Sequence, residues 1–152
     1  MASRSFVLDE WLLHDLRGDY GMEAQYAAKK LLRRIHGNCD HIVTVKGSPW
    51  MAKAFQLMKY ADPLTREAAQ LLHLGFLRNS RKCKLLEANQ FQAVPAAVAA
   101  AVPTDDLYLV EASMTVGAEA LVTTDGGLRD ALAAVPGITV AIKDDFISGY
   151  MT

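Results

Sequence analysis

Two aspartates sit in the same kind of place in this chain. Asp9 directly follows Phe6-Val7-Leu8, and Asp125 directly follows Ala120-Leu121-Val122-Thr123-Thr124. Each run reads as a short buried strand with a carboxylate at its C-terminal end. In open parallel sheets that edge is where ligands bind, at the point where strand order reverses. One aspartate there is ordinary turn chemistry; two at matching ends suggest one site. A third acid comes from Pro103-Thr104-Asp105-Asp106, read as a helix start with Thr104 as N-cap and two acids on the positive end of the dipole. At about 100° per residue, Leu107, Val110 and Met114 form an apolar stripe. Asp106 falls on its edge, Asp105 points away as a solvent-facing dipole partner, and Glu111 falls inside it. Clustered carboxylates repel one another and gain by binding a divalent cation. Oxygen-only ligands favour Mg²⁺ or Mn²⁺ over zinc.

The elements that must position these acids alternate in type. Ser5 to Leu8 is the first expected strand, followed by a helix from Trp11 to about Leu16 and a turn at Arg17-Gly18-Asp19-Tyr20-Gly21. Glu23 to Ile35 has helical spacing, with Tyr26, Leu31 or Lys30, and Ile35 marking one side and Gly37 as a stop. His41 to Val45 is β-branched and bounded by turn residues, hence a second strand. Ser48-Pro49 opens a helix to about Tyr60, which Asp62-Pro63 breaks. Thr65 can cap the next, running from Glu67 through Leu77, and Cys83 to Leu86 is a short third strand. Pro95 to Pro103 is an alanine-rich bridge, either a short helix or a packed loop. A helix to Gly117, a strand over Glu119–Thr124, a helix from Gly126 to Ala134 and a last strand from Ile138 to Ile142 complete the series. Strands alternating with helices indicate an α/β domain with a parallel sheet.

Bulk properties bound the rest. A chain of 152 residues with 22% charged residues has ordinary globular composition and room for one domain. Cys39 and Cys83 lack paired-motif spacing, which suits a reducing compartment. No secretory signal stands ahead of Asp9, and the apolar run from Ala93 to Val102 is too short to span a bilayer. A soluble cytoplasmic protein without a membrane partner is therefore expected. Charge is unevenly spread: residues 1–84 hold 14 Lys/Arg against 8 Asp/Glu, and residues 85–152 hold 2 against 9. A basic half joined to an acidic half suits a protein that grips a polyanion and holds cations at one site, although solvated helix faces also cluster charge.

The stretches Asp105-Asp106 to Glu111-Ala-Ser, Leu121-Val-Thr-Thr-Asp125-Gly-Gly-Leu128 and Phe6-Val-Leu-Asp9 resemble motifs of the PIN-domain family, and the order of elements fits from end to end. The resemblance implies one PIN-like domain over residues 1–152, with a three-layer α/β fold and a central, mainly parallel sheet of four to five strands flanked by helices. It implies acidic residues that bind Mg²⁺ or Mn²⁺ to hydrolyse RNA phosphodiester bonds, as in relatives that are toxins of toxin–antitoxin pairs, many of them homodimers. An antitoxin protein is then a partner beside RNA. Asp9, Asp106 and Asp125 become the catalytic, metal-holding set, with Glu10 or Glu111 as a further ligand and Thr123 or Thr124 orienting the carboxylates. Lys29, Lys30, Arg33 and Arg34, with Arg78, Arg81, Lys82 and Lys84, would hold the flanking RNA backbone. The sequence departs from the family on the helix after Ser48, which lacks a carboxylate and carries Lys53 where the family usually has glutamate.

Two other classes compete. A PIN-like scaffold without catalysis could bind RNA or a protein partner. A receiver-type phosphoacceptor domain also uses clustered aspartates, but its paired acids come early, whereas Asp105-Asp106 comes late. His36-Gly-Asn-Cys39-Asp-His41 contains zinc-type ligands, but no fourth presents itself nearby.

Overall fold

A computed structural model describes residues 3–152. Its sheet has five strands, all parallel: β1 (Ser5–Leu8), β2 (His41–Val45), β3 (Cys83–Leu86), β4 (Ala120–Thr123) and β5 (Val140–Ile142). Their order is β3-β2-β1-β4-β5, so the chain winds outward from β1 on one side and then returns to build the other. The switch point lies between β1 and β4, the two strands that lead into Asp9 and Asp125.

The strands alternate between two cores, as side-chain period 2 requires. Phe6, Leu8, Ile42, Ala120 and Val122 pack on one face. Val7, Val43, Val45 and Leu121 pack on the other. A sheet buried on both faces explains why the strand sequences read as continuous apolar runs. The first face is covered by α1 (Trp11–Arg17), α2 (Met22–Gly37), α3 (Pro49–Leu57), α4 (Pro63–Leu72) with a π-turn at His73–Leu77, and α8 (Lys143–Tyr150). The second is covered by α5 (Ala96–Ala101), α6 (Leu107–Val116) and α7 (Gly126–Leu132). This is the expected three-layer α/β arrangement, with every strand pairing parallel. Among the described residues, no helix is long and apolar enough to cross a membrane.

Several local expectations need correction. Ser48 caps α3 as read, accepting from Met51 N at 3.1 Å, but the helix stops at Leu57. Asp62, not Thr65, caps α4; its carboxylate accepts from Thr65 N at 3.0 Å, and Pro63 is the first helical residue. Thr65 is buried inside the helix, where its hydroxyl bonds Asp62 and the Arg17 carbonyl. Thr104 makes no capping hydrogen bond: Thr104–Asp106 is a 3₁₀ turn, and α6 starts after it. Its buried side is Leu109, Val110, Ala112 and Ser113, with Leu107 and Met114 only half-buried. On α2 the buried side is built from Ala28, Leu31, Leu32 and Ile35, and Tyr26 is 57% exposed. Helix α8 has no counterpart in the sequence reading. It lacks a side-chain cap and is held by tertiary contacts, Phe146 and Tyr150 both packing edge-on against Phe6 at 5.1 and 5.4 Å.

Candidate functional site

Parallel pairing of β1 with β4 puts Leu8 beside Val122, so the residues leaving both strands emerge side by side. The Asp9 N–H donates to the Val122 carbonyl at 3.0 Å, extending the ladder one residue past the strand. The Trp11 indole donates to that same carbonyl at 2.9 Å, which pins the start of α1 onto β4. A cleft of about 560 Å³ opens at this edge. It is lined by Asp9, Glu10, Asp15, Lys53, Asp106, Asp125 and Lys143, with Trp11, His14, Tyr20 and Thr124 around them.

The three aspartates are held differently. Asp9 Oδ1 accepts from the Glu10 N–H at 2.6 Å, and Oδ2 accepts from the Thr123 hydroxyl at 2.8 Å. Thr123 Oγ1 in turn accepts from the Asp125 N–H at 3.1 Å, so one hydroxyl joins two of the acids. Asp125 caps α7: its Oδ1 accepts from Gly127 N at 2.9 Å and Leu128 N at 3.2 Å, an ordinary use of an N-cap carboxylate. A Cβ at Gly127 would stand 3.2 Å from that oxygen, which is why the tight Asp125-Gly126-Gly127 turn suits glycine. Asp106 stands at the N-cap of α6 yet makes no capping bond, leaving its carboxylate to the cleft. Burial pushes the Asp9 carboxyl up, against the two bonds that favour its charge, and the neighbouring Glu10 and Asp125 push it further. Asp106 is raised by burial first and then by Asp9, Asp125, Glu10 and Asp105.

The remaining charges sort themselves. Glu10 forms an ion pair with Lys53, and the buried Asp15 pairs with Lys143, whose ammonium also lies over the Trp11 ring at 5.1 Å from its centroid. Of five carboxylates lining the cleft, the two outside the Asp9, Asp106 and Asp125 set are thus matched by lysines. No ion pair involves any of the three within the described residues.

Other expected site residues fall elsewhere. Thr124 lines the cleft, Asp105 is exposed outside it, and Glu111, half-buried further along α6, does not line it. None of the eight basic residues lines it either. Arg33 and Arg34 lie in the last turns of α2, and Arg78, Arg81, Lys82 and Lys84 surround the start of β3. Lys82 Nζ donates to the His36 carbonyl at 2.7 Å, tying the two groups together at the sheet edge opposite the carboxylates. The reason is topological: a crossover helix between parallel strands runs back toward the N-terminal edge and carries its basic last turn there. Lys29 is buried and pairs with Glu67 at 3.4 Å, so it is not a free phosphate ligand; Arg33 reaches the same carboxylate at 3.2 Å but stays half exposed.

The sequence reading missed Tyr108. Its hydroxyl oxygen is buried and has no hydrogen-bond partner; the Trp50 N–H is near but outside hydrogen-bond geometry. Burial raises its pKa, and Glu10, Asp9 and Asp106 raise it further, so the hydroxyl lies within the field of the acids. Its position next to Leu107 on an apolar helix gave no sign of this.

No protein-family model matches the chain, and no curated protein does. Among solved structures, it is similar to VapBC2 from Rickettsia felis bound to a DNA fragment from their promoter. The identity is 11%, the alignment covers 91% of this chain and 98% of that one, and the TM-score is 0.49.

The donor set suits a hard divalent cation. It is all oxygen, and its acids repel one another. Among the described residues, no three His, Cys, Asp or Glu side chains form a ready-made metal shell. Mg²⁺ needs none: it keeps several waters and is held through one or two carboxylates plus substrate phosphate.

Proposed function

We propose that this chain is a metal-dependent endoribonuclease of PIN-like type, with Asp9, Asp106 and Asp125 as its catalytic acids. The observation that carries the reading is that these three, and not Glu10 or Asp15, are left without a cationic partner at the strand-order switch point. A bound Mg²⁺ or Mn²⁺ would lower the pKa of a water, position it in line with a phosphodiester and offset charge on the leaving oxygen. Asp9, Asp106 and Asp125 would hold it, and Thr123 fixes the Asp9 carboxylate for that task.

The substrate class follows from what the acids need and from the PIN-like motifs around Asp9, Asp106 and Asp125. A phosphate oxygen completes a partly hydrated ion's coordination. Mutual repulsion of the acids keeps polyanions out until the ion is loaded. The same motif resemblance extends the reading to the toxin of a toxin–antitoxin pair, with an antitoxin protein as partner and a homodimer as its assembly.

The test is cleavage of mixed RNA by the purified chain with Mn²⁺, with chelator, and with Asp125→Asn as the contamination control. Cleavage that requires both the metal and Asp125 is the expected result. Asp9→Asn abolishes cleavage while leaving the thermal melt nearly intact. A folded wild-type chain that binds RNA but never cleaves it is instead the non-catalytic binding module.

A further inference from the structure

We propose that Lys53 fixes the cation content of the cleft: its ammonium occupies the electrostatic place of a second divalent ion at Glu10, so the site takes one such ion and not two. The inference rests on the metal-dependent reading above and concerns how that site is filled.

The argument is one of charge and reach. Five carboxylates and two ammonium groups line the cleft. Lys143 is committed to Asp15, whose side chain is only 3% exposed. Lys53 is committed to Glu10, and the two side chains are 38% and 22% exposed, sheltered enough for the pair to matter. What remains is Asp9, Asp106 and Asp125, a set that one divalent ion nearly neutralises. Without Lys53, Glu10 would add an uncompensated charge directly beside Asp9 in the same half-buried space. Four such acids have the charge to hold two divalent ions, as two-metal phosphodiester sites require. The lysine comes from α3, on a different crossover from every acid it serves, 43 positions from Glu10. Being covalently attached, it is present at any metal concentration, whereas a second ion must be recruited from solution. A lysine that merely braced α3 against α1 would have no effect on how many ions bind.

Mn²⁺ binding to the full chain, counted from the free-ion electron paramagnetic resonance signal, tests this without relying on activity. Wild type and Lys53→Arg each bind one ion, Lys53→Gln binds two, and the Glu10→Gln/Lys53→Gln double variant returns to one. Circular dichroism on each variant verifies the fold. Two ions in wild type, or one in Lys53→Gln, overturns the role of Lys53 and leaves the nuclease reading standing. No bound ion in any of the four chains overturns the metal-dependent reading, and this proposal with it.

Discussion

The Thr123 hydroxyl donates to Asp9 Oδ2 at 2.8 Å, joining residues 114 positions apart across the seam between β1 and β4. The same oxygen accepts the Asp125 backbone N–H, so one buried side chain holds the Asp9 carboxylate and the main chain at Asp125. Thr123→Val keeps the shape of the residue and deletes the hydroxyl. Groups that orient metal-binding carboxylates are worth roughly 10–100-fold in metal affinity or activity. Thr123→Val should lose that much Mn²⁺ affinity by calorimetric titration, and Thr123→Ser should retain most of it. Equal affinities for wild type and Thr123→Val would remove Thr123 from the site.

Tyr108 should affect stability through its buried hydroxyl. A buried hydroxyl without a partner costs on the order of 1–3 kcal/mol. Tyr108→Phe removes that cost and should melt at or above the wild-type temperature in chelator. Tyr108 is not among the residues lining the cleft, so the variant should cleave RNA at the wild-type rate. A lower melting temperature would mean that the hydroxyl is satisfied and structural.

Asp40 carries a pH dependence far from the acids. It is buried and accepts from the Arg4 N–H at 2.9 Å and from the Tyr150 hydroxyl, fastening α8 at the N-terminal edge of the sheet. Burial raises its carboxyl, but the bonds from Tyr150 and Arg4 outweigh that and hold it below its usual 3.8. A depressed folded-state pKa stabilises above the unfolded value and is lost as pH falls through the folded one. Asp40→Asn should therefore melt below wild type at neutral pH, with the gap closing below about pH 4. Tyr150→Phe should cost roughly 2 kcal/mol, the scale of a hydrogen bond to a charged group. A gap that stays constant with pH would show that Asp40 is not the group titrating.

The basic clusters should affect only long substrates. A four-residue strand such as β1 spans roughly 13 Å, and the clusters stand at the far end of that span from the cleft. Arg33→Ala/Arg34→Ala and Arg81→Ala/Lys82→Ala should leave cleavage of a four-nucleotide RNA unchanged. With long RNA, deleting each side chain that grips a phosphate should lower the slope of log affinity against log salt by about 1. Slower cleavage of the short RNA by either variant would place these residues at the site after all.

Local chemistry made much of this protein legible from its residues alone. The apolar runs ending in Asp9 and Asp125 announced strands with acids at the same edge, because strand direction and strand end are both written locally. The Ser48-Pro49 start of α3 was equally plain, since capping depends on neighbours a few residues away. Helical angle chose Asp106 over Asp105, but Thr104–Asp106 is a 3₁₀ turn outside α6, so that angle did not apply; Asp106 lines the cleft because of where the turn stands. Long-range pairing lay beyond such reading. Adjacency of β1 and β4 brings Thr123 to Asp9, and α3 delivers Lys53 to Glu10, through contacts that no period encodes. Helix α8 exists because Phe6 and Asp40 receive it, not because its own sequence demands a helix. The basic residues were visible as a charge bias, but crossover direction decided which edge they occupy. Sequence determined which side chains could do chemistry; the winding of the sheet about β1 decided which of them meet, because only folding brings distant charges close enough to act on one another.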